Sequence, residues 1–158
     1  MNPPLFVVDT HALVWFVKGC VLQLRSNSFV SMIHPRARIV IPSYAFTEVQ
    51  REFTPKMGRN NMRVPPTPLL RLVSKCSNVR ILPSDPALLA WEFRLKRNNR
   101  ANGIPDQDIA IAAAVMVARE HYEGPVALIT KDGPLVKWAL SAGVPVIWNQ
   151  SPFQLLPR

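Results

Sequence analysis

Asp106-Gln107-Asp108-Ile109-Ala110-Ile111-Ala112-Ala113-Ala114-Val115-Met116-Val117-Ala118 has helical character and, past its two acids, is apolar almost all round. A helix without a polar face must be largely buried, and its alanines let neighbouring backbones come close. A little further on, Val126-Ala127-Leu128-Ile129 is a short, unbroken apolar run. A strand wetted on one face alternates apolar and polar residues, whereas an unbroken run marks a strand covered on both faces, as in a parallel sheet. Similar runs recur outward along the chain: Leu5-Phe6-Val7-Val8, Ile39-Val40-Ile41, Val79-Arg80-Ile81-Leu82 and Val144-Pro145-Val146-Ile147-Trp148. Helical patterns fill the gaps at about 10–17, 21–33, 43–54, 67–76, 86–99, 107–121 and 133–142. This alternation predicts an α/β fold: a three-layer α/β/α sandwich, doubly wound around a mostly parallel five-stranded sheet.

The boundaries have local causes. Thr10, Pro42-Ser43, Ser84-Asp85-Pro86 and Pro105-Asp106 mark helix starts, where short polar side chains cap free N–H groups and proline loses no bond. Gly19, Gly124 and Gly143 mark stops. Sixteen prolines suit many short elements with sharp ends. The segment 54–68 is proline-rich, carries Lys56, Arg59 and Arg63 and no acid, and reads as a long loop that offers a substrate or partner surface. No repeat or linker stands out, so residues 1–158 are expected to form one domain.

Composition narrows the function classes. A hydrophobic content of 48% excludes a disordered chain. No apolar run approaches the roughly 18–20 residues that span a bilayer. The start, Met1-Asn2-Pro3-Pro4-Leu5-Phe6-Val7-Val8-Asp9, has no basic leader, and Asp9 cuts its apolar run short. A cytoplasmic protein with no membrane partner is expected. Cys20 and Cys76 are far apart, with no CxxC or Cys/His cluster to hold zinc, and are expected as free thiols. Nineteen Lys and Arg face ten Asp and Glu, a net charge of +9. Such a surface attracts polyanions, either nucleic acid or an acidic protein.

Against that background the acids carry information. Asp9 ends the first strand, Glu48 lies about two turns into the helix after the second, Asp106 and Asp108 open the apolar helix, and Asp132 follows the fourth strand. Ligands of open α/β sheets bind beyond the carboxyl ends of the strands, where Asp9 and Asp132 lie. The start of helix 107–121 is expected at the opposite edge if the helix packs as a crossover. Asp108 joins Asp9 only if the helix instead begins near the strand ends, and the pattern leaves both open. Grouped carboxylates repel one another unless a cation neutralises them, and Mg²⁺ and Mn²⁺ choose oxygen ligands. Acids in a basic shell describe metal-assisted phosphodiester hydrolysis. Simpler roles compete: helix capping for Asp106 or Asp108, turn or cap chemistry for Asp132, a solvated helix face for Glu48. Asp9, directly after a buried strand, is the hardest to explain that way.

Four segments carry a family resemblance: Leu5–Trp15 with Asp9, Ile41–Val49 with Glu48, Ile104–Ala114 with Asp108, and Leu128–Asp132. In this order the chain resembles the PIN-domain ribonucleases, and within them the VapC-type toxins of toxin–antitoxin pairs, over residues 5 to about 149. The resemblance implies a PIN-like sandwich and Mg²⁺- or Mn²⁺-dependent cleavage of RNA. It also implies that the third acid reaches the pocket of Asp9. Asp9, Glu48, Asp108 and Asp132 are then the catalytic and metal-holding acids, with Asp106 auxiliary. Thr10 and Thr130 are expected near the metal's waters or the substrate. Arg51, Lys56, Arg59 and Arg63, with Arg94, Lys96, Arg97 and Arg100, are expected to bind flanking phosphates. An acidic antitoxin and a homodimer are the implied protein partners.

Other classes fit less well. An aspartyl phosphotransferase wants a second Asp two residues after Asp9, where His11 stands. A Rossmann cofactor site needs a glycine-rich first turn, and Thr10-His11-Ala12 supplies none. A catalytically silent PIN-fold RNA-binding module would keep the charge but lose acids. A PIN nuclease without an antitoxin is the remaining alternative. His11, His34 and His121 have no ligand spacing, and Trp15, Trp91, Trp138 and Trp148 read as core or interface aromatics.

Overall fold

The computed structural model describes residues 2–14, 38–53 and 78–147, without the side chains of 50–53 and 99–102. Five strands, β1 (Leu5–Val8), β2 (Arg38–Pro42), β3 (Val79–Leu82), β4 (Val126–Ile129) and β5 (Val146–Ile147), form one sheet in the order β3-β2-β1-β4-β5. Every pairing is parallel, with Phe6 facing Ile39 on one side and Ala127 on the other. The helices are α1 (Ser43–Phe53), α2 (Pro86–Asn102), α3 (Asp106–His121) and α4 (Gly133–Ser141), and residues 10–14 are also helical. All four residues of β1 and of β4 are buried. Neighbours along a strand point to opposite faces, so both faces of the sheet centre are covered and the layers number three.

The expected strands are all present, and the sheet is wholly parallel. The helices predicted at 21–33 and 67–76, the loop at 54–68, and Cys20, Cys76, His34, Trp15 and Trp148 lie outside the described residues. Helix α2 runs to Asn102, beyond the predicted 99, and Gly103 follows it with φ +64°, a left-handed residue that ends a helix without a Cβ clash. Gly143 ends α4 as predicted. Its φ is +70°, its N–H bonds Leu140 O, and the Val144 N–H bonds Ala139 O, the paired bonds of a Schellman closure.

Gly124 does not stop a helix. The α3 cap is Tyr122, and a Cβ on Gly124 would lie 2.6 Å from the Tyr122 ring. Close packing fixes that glycine. Helix α3 is buried at Ile109, Ile111, Ala112, Ala113, Ala114, Val115, Val117 and Ala118, as its apolar circumference requires.

Of the two placements left open for the start of α3, the structure shows the one near the strand ends. The helix ends beside the amino ends of the strands, where the Tyr122 hydroxyl bonds Pro3 O and Asn2 Nδ2 bonds Glu123 O at 3.1 Å. It therefore runs antiparallel to the strands and begins at their carboxyl edge. Any helix that feeds directly into a parallel strand must descend before the strand can rise, which puts its first turn where the strands end.

Candidate active site

The chain leaves β1 to build β2 and β3 on one side, then crosses back to place β4 and β5 on the other. The order reverses between β1 and β4, and such a switch point opens a crevice beyond the carboxyl ends of its two strands. Asp9 and Thr130 are the residues immediately after β1 and β4. They are also the polar residues buried in the described core, at 3% and 0% exposure.

Asp9 is held at both oxygens. Oδ1 accepts the Ala12 N–H at 2.8 Å, capping the helix that starts at Thr10, and Oδ2 accepts the Thr130 hydroxyl. The Thr130 oxygen in turn accepts the Asp132 N–H at 3.1 Å. Asp132 repeats the arrangement one strand over: its Oδ2 accepts the Leu135 N–H at 3.1 Å and caps α4. Two strand-ending acids thus sit on two helix N-termini, where free N–H groups and the helix dipole favour negative charge. Capping, one of the simpler roles open to Asp132, is real, and it leaves Oδ1 for other partners.

Glu48 reaches the same edge from α1. Thr10 Oγ1 donates to its Oε2 at 2.5 Å, and Tyr44, one turn earlier on α1, donates to its Oε1 at 2.7 Å. Thr10 and Thr130 therefore orient acids, each using its one proton on a carboxylate. Thr130 has no exposed surface with which to meet substrate. Tyr44 is the site residue that sequence reasoning missed, although its i, i+4 spacing to Glu48 is the signal that finds it.

Asp108 is different. It sits in the first turn of α3, whose cap is Pro105 and has no side-chain cap bond, so neither Asp106 nor Asp108 caps the helix. Asp106 is exposed. The Asp108 Oδ2 atom is buried and has no hydrogen-bond partner among the described residues. Burial pushes its carboxyl up to about 7. The hydrogen bond that its protonated form makes with Asp132, and the charges of Asp132, Asp9 and Glu48, push the same way. Those couplings bring all four acids into one electrostatic unit. Burial also raises Asp9, opposed by its bonds to Thr130 and Ala12 and by nearby His11.

Among the described residues no three acidic, His or Cys side chains close on one point tightly enough to ligate an ion together. Of the expected phosphate binders, Arg94, Lys96 and Arg97 are exposed on α2, with Arg94 4.9 Å over the Trp91 ring. Lys56, Arg59, Arg63 and the side chains of Arg51 and Arg100 lie outside the described residues. No described helix is long and apolar enough to cross a membrane.

No protein-family profile and no curated protein matches this sequence. Solved structures do match its fold. A chain of VapBC2 from Rickettsia felis, bound to a DNA fragment from its promoter, is 14% identical with a TM-score of 0.60, covering 90% of this chain and 97% of that one. A chain of DNA-bound VapBC from Salmonella typhimurium is 15% identical with a TM-score of 0.57, covering 93% and 98%. A chain of the FitAcB complex from Neisseria gonorrhoeae is 18% identical with a TM-score of 0.56, covering 94% and 98%. The chain shares the PIN-like fold of these toxin–antitoxin structures almost end to end.

Proposed function

We propose that this protein is a metal-dependent endoribonuclease and the toxin of a toxin–antitoxin pair. The observation that carries the reading is Asp108, a carboxylate with a buried, unpartnered oxygen facing three other acids at the switch point of the sheet. Partner proteins in the structures of shared fold support an antitoxin partner here, and the +9 charge suits RNA as well as an acidic protein.

The donor set fits Mg²⁺ or Mn²⁺. It is all oxygen, and its own repulsion favours a dication. Because no three side chains converge among the described residues, Asp9, Asp108, Asp132 and Glu48 would hold such an ion partly through water, as is common for Mg²⁺. Such an ion would supply polarisation of the phosphate and acidification of a coordinated water. The chain's own residues do the rest. Thr130 and the Ala12 N–H fix the Asp9 carboxylate in one orientation. Tyr44 and Thr10 fix Glu48, which accepts the proton of the attacking water. Asp132, anchored on α4, holds its second oxygen toward Asp108. Exposed Arg94, Lys96 and Arg97 attract the RNA backbone.

The test is cleavage of whole tRNA and ribosomal RNA by wild type and Asp9→Asn with Mg²⁺, Mn²⁺ or EDTA. The amide keeps an oxygen for the Ala12 N–H, so the fold is expected to survive. Cleavage that requires both metal and Asp9 is the expected result, and equal cleavage by the variant or in EDTA overturns the reading.

A further inference from the structure

Beside the four acids lies a cavity of about 350 Å³ that their chemistry does not use. Helix α1 contributes Tyr44 and Glu48, the loop before α2 Ser84, α2 itself Leu88 and Glu92, and α3 Ala110. Its size falls in the roughly 300–1,000 Å³ range of small-ligand sites. Glu48 belongs to both spaces, so the cavity opens directly beside the acids. Among the described lining residues there are two carboxylates and no Lys, Arg or His, a lining that disfavours a phosphate. A strand whose phosphate lies at the acids can place only a base here.

Which base is decided by Glu92. Each oxygen of Glu48 already accepts a bond, from Thr10 or Tyr44, and its remaining acceptor sites serve the acids, whereas Glu92 is half-buried with no hydrogen-bond or ion-pair partner among the described residues. An ionised carboxylate only accepts, and it accepts best from two parallel donors. Guanine alone among the four bases presents two adjacent donors on its Watson–Crick edge, N1–H and the 2-amino group. Adenine and cytosine offer one amino group beside an acceptor, and uracil one N–H between two carbonyls. Leu88 and Ala110 give apolar surface to the ring, and in the Ser43–Ser84 hydroxyl pair, 3.0 Å apart, whichever oxygen accepts keeps its proton for the guanine O6.

We propose that this cavity is a guanine subsite, with Glu92 its specificity-determining residue, placed to hold a base next to the scissile phosphate. The placement rests on the nuclease reading, but guanine binding does not. The first experiment therefore omits RNA and metal. Guanosine, inosine, adenosine, cytidine and uridine are titrated into the full chain while the methyl resonances of Leu88 and Ala110 are followed by NMR. Guanosine is expected to shift both and to bind about tenfold or more tighter than inosine, which lacks the 2-amino group. Glu92→Gln, which presents one donor and one acceptor, is expected to bring the two to near parity. Equal binding of all nucleosides, silent Leu88 and Ala110, or an undiminished preference in Glu92→Gln overturns the proposal.

The second experiment sequences the products of a randomised RNA pool cut in Mg²⁺. Guanine enrichment beside the cut, lost in Glu92→Gln, is expected. Cleavage by wild type without base preference overturns the placement of the subsite and leaves the nuclease reading standing. Guanosine binding with no cleavage of any RNA overturns the nuclease reading and leaves the guanine site.

Discussion

The two ends of the sheet are built from the same strands and behave oppositely. At the amino edge the chain closes on itself. Tyr122 bonds Pro3 O, Asn2 bonds Glu123 O, Arg38 lies 5.6 Å over the Tyr122 ring, and Gly124 is packed so closely that a Cβ would strike that ring. Polar groups there are paired with backbone or with one another. At the carboxyl edge four carboxylates face each other, and the hydrogen bonds that hold Asp9, Glu48 and Asp132 leave Asp108 Oδ2 without a partner among the described residues. One edge is a seam, while the other holds repulsion that binding of a cation can relieve. A fold optimised only for stability would have no reason to keep the second.

The largest effect expected from this contrast is at Asp108. Asp108→Asn should reduce cleavage by more than the roughly 10–100-fold typical of changes around a metal's ligands, while raising the melting temperature of the metal-free protein at pH 8. The gain should be about 2–4 °C for each kcal/mol of repulsion removed. Thermal melts and cleavage rates of the same preparation check both halves. A variant that loses stability as well as activity would show that the edge stores no repulsion.

Next in size is the response to pH and metal. The Asp108 carboxyl is raised from 3.8 to about 7 in the folded protein. Between those values the folded state holds a proton that the unfolded state has lost, so this group's contribution to stability falls as pH rises through that window. Above about pH 7 the full repulsion remains. A divalent cation that displaces the proton should flatten this dependence. Melting temperature measured at pH 6 and pH 8, with and without Mg²⁺, should therefore show greater stabilisation by Mg²⁺ at pH 8. Equal stabilisation at both values would break the link between Asp108 and the cation.

A smaller effect is expected at Thr130, whose hydroxyl joins Asp9 to the Asp132 backbone. Thr130→Val keeps the shape and removes both bonds. It should cost roughly 1–3 kcal/mol of stability, since a buried carboxylate oxygen and a part-buried N–H lose their partners, and roughly 10–100-fold in cleavage. Thr130→Ser should restore most of both. Chemical denaturation and cleavage rates measured side by side separate a positioning role from a merely structural one, because only the former gives a pH profile that changes with the hydroxyl.

Much of the contrast was legible in the sequence, and the reasons it was not fully so are specific. Unbroken apolar runs gave the central strands because a sheet covered on both faces needs no polar alternation, and the edge strand β3 was found despite its exposed Arg80. Asp9 and Asp132 were placed at the carboxyl edge because Asp9 directly follows such a run and Asp132 comes three residues after one. Asp108 was left between two edges, although a helix that feeds directly into a parallel strand must begin where the strands end, so the element order alone places it beside Asp9. Hydroxyl roles were also hidden. Which acid Thr10, Thr130 or Tyr44 serves depends on approaches between elements, 38 positions apart in sequence for Thr10 with Glu48 and 121 for Thr130 with Asp9. Gly124 was misread for a related reason. A glycine after a helix looks like a stop, and only the ring packed against it shows that close approach fixes the residue.

The smallest expected effect lies at the other edge and tests whether the seam is only a seam. Tyr122→Phe removes the bond to Pro3 O and keeps the ring beneath Arg38 and against Gly124. A single net hydrogen bond contributes about 1 kcal/mol, so the melting temperature should fall by about 2–4 °C. Cleavage rate and Mg²⁺ response should stay as in wild type, because β1 joins this edge to Asp9 through four fully buried residues whose register is set by both neighbouring strands. A shift at one end of so rigid a strand has no soft element through which to reach the other. If Tyr122→Phe did change the pH dependence of cleavage, the two edges would be coupled through β1. The repulsion at the carboxyl edge would then be balanced by the seam, and the contrast between them would become a division of one mechanism across the length of the sheet.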